Sequence, residues 1–247
     1  MKFSLITVCL NSKLTIADTI ESVISQSYGD YEHIVFDGGS TDGTIEILKS
    51  YGDKIRLIRG NDSGIFDAMN QAIAYASGEI IGIINSDDFY AHSEVLSRVN
   101  DVFTATGVDS VYGDLYYVYR NDTGRIYRNW RSGEFNRKKF RYGWTVPHPT
   151  FFVRNEIYEQ YGLFDERFRI SGDYELILRF LYKHRVSTSY IPEVLVKMRN
   201  GGNSDGGIYR RLKSLEEDYL AWKRNGLEPG IFTIPLKPLI KIRQFLE

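Results

Sequence analysis

The residues Gly78-Glu-Ile-Ile-Gly-Ile-Ile-Asn-Ser-Asp-Asp88 decide the fold. Glu79 to Ile84 is a near-continuous apolar run, the pattern of a strand buried on both faces of a parallel sheet. A polar cluster, Asn85, Ser86, Asp87 and Asp88, closes it at the carboxyl end. Moving from there toward the N-terminus, helix and strand patterns alternate. Ile65, Met69, Ala72, Ile73 and Ala76 predict a helix ending at Ser77-Gly78, and Ile55 to Ile58 a strand. Ile45 to Tyr51 predicts a helix capped by Ser40 or Thr41, and His33 to Phe36 the strand before it. Ile16, Ile20, Val23 and Ile24 predict the first helix, fed by a strand over Leu5 to Leu10. Repeated strand-helix units predict a doubly wound α/β domain.

Past Asp88 the character changes. Ser110 to Tyr119 and Thr150 to Val153 read as strands and Tyr174 to His184 as a helix. Ile208, Leu212, Leu215, Tyr219 and Trp222 mark the apolar face of another helix, and a tail follows. With 247 residues, 43% hydrophobic and 26% charged, the chain has the composition of a soluble globular protein, which excludes disorder, collagen and coiled coil. Cys9 is the lone cysteine, so no internal disulfide forms and a reducing compartment is expected. A net charge of -1 supplies no electrostatic reason to expect nucleic acid as a partner.

The start imitates a signal peptide only faintly, because the apolar run is short and Asn11-Ser12-Lys13 leads straight into a helical pattern. No segment approaches the roughly 18 apolar residues of a membrane-spanning helix. Two segments are cationic. Arg120 to Arg141 carries eight basic residues against two acidic ones and reads as a solvated loop able to attract a phosphorylated substrate or an anionic surface. The tail, Ile231 to Leu246, mixes Ile, Leu, Phe and Pro with Lys237, Lys241 and Arg243, and either docks on the core or rests on a membrane surface. The expected location is cytoplasmic, with peripheral contact at the cytoplasmic face of the inner membrane.

In an open α/β sheet, ligands sit outside the carboxyl ends of the strands. Asn11, Asp37, Asn61-Asp62 and Asn85 to Asp88 all fall there. Adjacent carboxylates such as Asp87 and Asp88 repel unless a cation or donors intervene, and a hard divalent ion carrying phosphates is a natural partner. The alternative is a turn or helix cap before Ser93-Glu94. The histidines lie far apart, and neither a His-Glu-x-x-His motif nor a Cys pair is present. A Walker loop, a Gly-x-Gly-x-x-Gly fingerprint and a Gly-x-Ser-x-Gly elbow are also missing, which weakens ATPase, dinucleotide oxidoreductase and serine hydrolase readings.

Five stretches in order carry a resemblance: Ser4 to Ser12, Asp37 to Thr44, Asp62 to Asn70, Gly78 to Asp88, and Gly162 to Phe168 followed by Ser171 to Leu176. Together they resemble glycosyltransferase family 2, of the bacterial polysaccharide-assembly type. The resemblance implies a GT-A (Rossmann-like) fold with a mostly parallel central sheet, helices on both faces, a mixed second half and a short C-terminal helical extension. It implies a glycosyltransferase domain over 1–205, with a nucleotide-binding half (1–90) and an acceptor and catalytic half (91–205), and an extension over 206–247. It also implies a hexosyltransferase-type enzyme that inverts the anomeric carbon, a UDP-sugar or other nucleotide-sugar donor, a divalent metal (Mn or Mg), and a glycan or lipid-linked acceptor.

Carried over by position, Asn11, Asp37, Asp62 and Asp87 would contact the donor, with Asp37 on the base and Asp62 lining the pocket. Asp87 and Asp88 would stand for the family's Asp-x-Asp motif, with Asp88 on the metal, although Asn85 occupies the position often taken by the first Asp. Asp173 would be the catalytic base of a Glu-Asp motif in which Gly172 replaces the Glu, leaving Glu175 as a competitor. His148 is a candidate metal or phosphate contact. Trp144 would stack on a sugar or pack, and Arg199 to Ser204 would close over the donor or merely connect. The chemistry is consistent, since glycosyl transfer needs a base for the acceptor hydroxyl and a cation for the diphosphate leaving group. Two rivals stand beside this reading. A sugar-phosphate nucleotidyltransferase would want a Gly-rich basic loop after strand one, where this chain has Asn11-Ser12-Lys13. A non-catalytic homologue would have lost its carboxylates, which are present.

Overall fold

The computed structural model describes residues 1–201 and 207–244. The first half alternates strands β1 (Phe3–Cys9), β2 (Tyr31–Asp37), β3 (Arg56–Arg59) and β4 (Ile80–Ile83) with helices α1 (Ile16–Ile24), α2 (Thr44–Ser50) and α3 (Ile65–Ile73). These strands lie in the order β3-β2-β1-β4, all parallel, with Cys9 level with Asp37 and Asp37 level with Arg59. Alternation along the strands serves two layers. Ile6, Val8, Ile34 and Phe36 pack against Phe66, Met69 and Ala72 of α3. On the opposite face Cys9 and Val35 meet Ile16, Ile20, Ile45 and Leu48 of α1 and α2. Each large apolar side chain so buried contributes about 1.5–3 kcal/mol.

The second half extends the same sheet. It comprises β5 (Asp88–Tyr90), α4 (Val95–Thr106), β6 (Ser110–Tyr119), β7 (Asp122–Trp130), β8 (Phe152–Arg154), α5 (Asn155–Tyr161), α6 (Gly172–Ile177), β9 (Thr188–Arg199), α7 (Ile208–Arg224) and α8 (Thr233–Arg243). Beyond β4 the order is β8-β6-β9-β5, and β7 pairs with β6. Strand β8 runs antiparallel to both β4 and β6, whereas β6 and β9 are parallel. The expected α/β architecture, parallel first and mixed after, is what forms.

Several local expectations need correction. Helix α2 is not capped by Ser40 or Thr41: Gly43 is its N-cap in the left-handed region, and Asp42 Oδ1 accepts the Thr44 N–H at 3.0 Å. The helix expected from Tyr174 to His184 begins at Gly172 and widens into a π turn over Leu178–Lys183. The basic stretch is not a solvated loop. Its first part is β7, antiparallel to β6, and Arg137–Tyr142 forms a 3-10 turn. Aromatic rings take up several of its cations, Arg125 over Tyr119 at 4.6 Å, Arg128 over Tyr117 at 3.7 Å and Arg137 over Tyr182 at 4.4 Å.

Helix α7 buries Trp222 as its apolar spacing predicts, but the rest of its inward face is a different one. Glu217, Asp218, Ala221 and Trp222 are buried, while Leu212 is 61% exposed. Burying two acids is tolerated because both are paired. Asp218 Oδ1 holds Lys237 Nζ of α8 at 2.7 Å, and Glu217 caps a loop described below. Lys237 is therefore a buried partner and not a surface cation of the tail, which docks on the body: the Thr233 hydroxyl donates to the Arg141 carbonyl at 2.8 Å. The side chains of Lys241 and Arg243 lie outside the described residues, as do Gly202 to Ser204 of the proposed closing loop.

Candidate active site

The loops after β1, β2 and β3 meet at one edge of the sheet. Asn11 adopts a positive φ of 52°, which Asn tolerates better than most residues. Its N–H donates to Ser40 Oγ at 2.8 Å, and its Oδ1 accepts the Thr41 N–H at 2.9 Å. Asp37 is completely buried, with Oδ2 accepting the Gly39 and Ser40 N–H groups at 3.0 Å and Oδ1 facing the Cys9 thiol at 3.7 Å. In this arrangement Asp37 shapes the 38–40 loop from inside. Asp62 lies against the same loop: a Cβ on Gly38 would come within 2.2 Å of its Oδ2, so any larger residue there would have to displace the Asp62 carboxylate. Burial raises the Asp62 carboxyl above its usual range, and the Gly64 N–H opposes that shift.

Ser12 links this edge to the next one, since its Oγ meets Ser86 Oγ at 2.8 Å while its N–H donates to Thr44 Oγ1 at 2.8 Å. Beyond Ser86 come Asp87 and Asp88. Asp87 is partly exposed, 3.5 Å from the Arg120 guanidinium. Asp88 opens β5 and is completely buried; its Oδ2 accepts from Asn85 Nδ2 at 2.8 Å, and its Oδ1 has no hydrogen-bond partner. Burial first, and the neighbouring Asp87 second, push the Asp88 carboxyl well above the usual carboxylate range. Arg199, at the end of β9, donates to the Asp87 carbonyl at 2.8 Å and pairs with Asp18 of α1. Its guanidinium is thus committed to backbone and Asp18.

An orphaned carboxylate oxygen beside a second, half-open carboxylate fits a hard divalent cation, which takes one or two protein carboxylates and fills its other positions with phosphate and water. Among the described residues no group of three or more acidic, His or Cys side chains gathers into a self-sufficient metal cage.

A further carboxylate, Asp173, lies in the first turn of α6. Its Oδ1 accepts the Tyr174 N–H at 2.8 Å, and its Oδ2 makes no hydrogen bond among the described residues. Glu175, the competitor, has no free oxygen. It receives Arg179 Nε and Nη2 at 3.0 Å and Asn225 Nδ2 at 2.9 Å, and is buried. Arg179 spends its remaining donors on the carbonyls of Tyr161, Gly162 and Leu163. Glu175 is therefore a structural anchor, and Asp173 is the carboxylate with an oxygen to spare.

The Gly at 172, where the resemblance leads one to expect Glu, has a steric cause: any Cβ there would come 2.7 Å from the Phe66 ring. Phe66 stacks on Phe164 at 5.6 Å, and His148 meets Phe164 edge-on at 5.6 Å. His148 is buried, which lowers its pKa, and Asp173 is the one carboxylate whose charge acts against that shift. The Phe164 ring is thus the neighbour that His148 meets, and Asp173 is the carboxylate whose charge reaches it. Trp144 packs against Phe140, Tyr112 and Phe135 and donates to the Ser132 carbonyl, a packing role.

The sequence profile of glycosyl transferase family 2 matches residues 4–162. The chain belongs to this family. A glycosyltransferase of PGL/p-HBAD biosynthesis from Mycobacterium bovis is 27% identical over 211 residues, covering 83% of this chain and 80% of the relative. An uncharacterized glycosyltransferase of Mycobacterium tuberculosis is 32% identical over 183 residues, covering 71% and 67%. Among solved structures, S. aureus TarS 1-349 in complex with UDP-GlcNAc superposes with a TM-score of 0.70 at 20% identity, over 91% of this chain and 65% of that one. A Pyrobaculum calidifontis mannosyltransferase in complex with GDP-Man and Mn2+ gives 0.65 at 14% identity, over 97% and 69%. The chain is thus a glycosyltransferase with the GT-A fold.

Sequence reasoning passed over some of the residues that join the two halves of this glycosyltransferase beside the candidate site. Asn70 reads the backbone of Phe164 reciprocally, its Nδ2 donating to the carbonyl at 3.0 Å and its Oδ1 accepting the N–H at 2.9 Å, and so joins α3 to the second half of the chain. Arg169 donates to the Ser63 carbonyl, tying the loop before Asp173 to the Asp62 loop. Ser63, Gly64, Phe66, Glu166, Phe168 and Arg169 line one cavity at that seam. Asn70 lies within a quoted motif, so its position was visible and its contact was not.

Proposed function

We propose that this enzyme transfers a hexosyl group, with inversion, from a UDP-sugar to a hydroxyl of a lipid-linked or surface glycan under assembly. The observation that carries the reading is a pair of differently prepared carboxylates. Among the described residues, Asp88 is buried with one oxygen unpartnered beside Asp87, and Asp173 has one oxygen without a hydrogen bond while Glu175 is consumed. Residues 1–90 would hold the donor and 91–205 the acceptor, with 206–247 as extension. Asp173 Oδ2 accepts the acceptor's proton as its oxygen attacks the anomeric carbon. His148, which burial favours in the neutral form, adds no positive charge that would weaken that base. Asp88, with Asp87, would hold a manganese or magnesium ion whose charge offsets that gathering on the diphosphate. Asn11, Asp37 and Asp62 shape the loop against which the nucleoside rests. The UDP-GlcNAc on TarS, and the GDP-Man and Mn2+ on the mannosyltransferase, are consistent with this reading.

A panel of UDP- and GDP-sugars, assayed for nucleoside diphosphate release and thermal stabilisation with and without manganese or magnesium, tests the proposal. One UDP-sugar should turn over. At about 100 times its dissociation constant, with metal, it should raise the melting temperature by about 5–10 °C. Equal stabilisation by UDP with and without metal would remove the cation from the account.

The acceptor's membrane setting rests on the outer face of the extension. Tyr209 is 77% exposed, Ile231 86% and Phe232 59%, and Arg211 and Lys213 are exposed beside Leu212. No helix among the described residues is long and apolar enough to cross a membrane. Apolar groups among cations suit an anionic bilayer surface, each Lys or Arg near it adding about 1 kcal/mol. Vesicles with anionic lipid should bind the enzyme in a salt-sensitive way, and Phe232→Asp should weaken that binding. Salt-independent binding, or binding unchanged by the substitution, would count against this face.

A further inference from the structure

We propose that Glu217, on helix α7 of the extension, is a positioning residue for Asp173, so that the extension belongs to the catalytic apparatus. The inference rests on the reading of Asp173 as the base. The loop that delivers Asp173 turns three successive N–H groups onto one carboxylate. Ile170 and Ser171 each donate to Glu217 Oε2 at 2.8 Å, and Arg169 donates to both oxygens at 3.2 Å. Hydrogen bonds to an ionised acceptor are roughly twice as strong as neutral ones.

Helix α6 does not cap itself. Ser171 is its N-cap and makes no side-chain cap bond, and its hydroxyl instead meets Ser214 Oγ of α7 at 3.2 Å. The residue after Asp173 is held from the same side. Trp222 Nε1 donates to Tyr174 Oη at 2.9 Å, and Lys237 Nζ lies 3.4 Å from the Tyr174 ring centroid. On the opposite side Gly172 rests on Phe66, with no room for a Cβ. Asp173 therefore rides on a segment clamped between α3 and the extension, and the anchors on the extension side come from α7 and α8. Misplacing a reacting group by 1 Å costs on the order of 10²-fold in rate, so such a clamp governs turnover more than donor affinity.

The test uses the full chain, with UDP release from the UDP-sugar that the panel selects, in the presence of manganese. Glu217→Gln keeps shape and removes charge, and Ser214→Ala is a milder disturbance; Asp173→Asn is assayed in parallel. Glu217→Gln should lower kcat about 10–10²-fold while KM for the donor changes by less than about threefold. Amide hydrogens of Ile170 and Ser171 should exchange about tenfold faster, with Ser214→Ala giving the same pattern at smaller size. If Asp173→Asn is inactive while Glu217→Gln keeps its kcat or its amide protection, the positioning role is overturned and the base reading stands. If Asp173→Asn turns over normally, the base reading itself fails, and the catalytic consequence of the clamp falls with it.

Discussion

Asp173→Asn is expected to cut turnover by about 10²–10⁴-fold, or about 3–5 kcal/mol of barrier, with UDP binding nearly unchanged. The size follows from what the substitution leaves behind. Asn keeps the oxygen that accepts the Tyr174 N–H, so the first turn of α6 should hold its shape. What disappears is the free oxygen's capacity to take a proton. Steady-state kinetics with the selected donor, beside calorimetric binding of UDP, separates the two effects. A collapse of UDP affinity at preserved kcat would make Asp173 a binding residue. Because both Glu175 oxygens are occupied by Arg179 and Asn225, Glu175→Gln should instead act on stability, and it serves as the control.

Asp88→Asn should remove most transfer activity and abolish the part of the UDP stabilisation that depends on manganese or magnesium. Asp88 is completely buried in β5, so a disruptive replacement would confuse folding with function. Asn is nearly isosteric and leaves the charge of Asp87 without a like-charged neighbour, so the ligand-free protein should melt close to wild type. Differential scanning fluorimetry with UDP, with and without metal, reads the result directly. Retained metal-dependent stabilisation in the variant would shift the cation to Asp87 alone or to another place.

The first half of the fold was legible because its physics is local. A run such as Glu79 to Ile84 has one outcome, a doubly covered strand, and the carboxyl ends of parallel strands must then share an edge. That logic puts the loops of Asn11, Asp37, Asp62 and Asp87 at one edge. It could not tell that Asp37 would turn inward to satisfy backbone N–H groups while Asp87 stays open, because the difference lies in how each loop closes. The second half depends on partners distant in sequence. Glu175 and Asp173 look equivalent along the chain, and only Arg179 and Asn225 distinguish them. In α7 the apolar period misled, since Glu217 and Asp218 lie inside by virtue of a loop 46 residues upstream of Glu217 and a lysine 19 residues downstream of Asp218. One signal was available: they stand four positions before Ala221 and Trp222, both buried. Strand β7 was missed beside the correctly read β6, because charge was read without the cross-strand aromatics.

The buried pair between Asp218 and Lys237 bears on how such an enzyme can be recombined. A chimera that grafts the terminal helices of a relative onto residues 1–201 cannot treat them as an interchangeable module. Transplanting one helix without the other would strand a charge in the interior, at a cost of about 3–5 kcal/mol, a large share of a domain's net stability. The heritable unit is the pair of helices together with the segment they grip, from Ile170 to Tyr174, so crossover points belong before that segment and not between it and α8. A change at position 218 is then expected to be tolerated only with a matching change at 237, its partner in the interior.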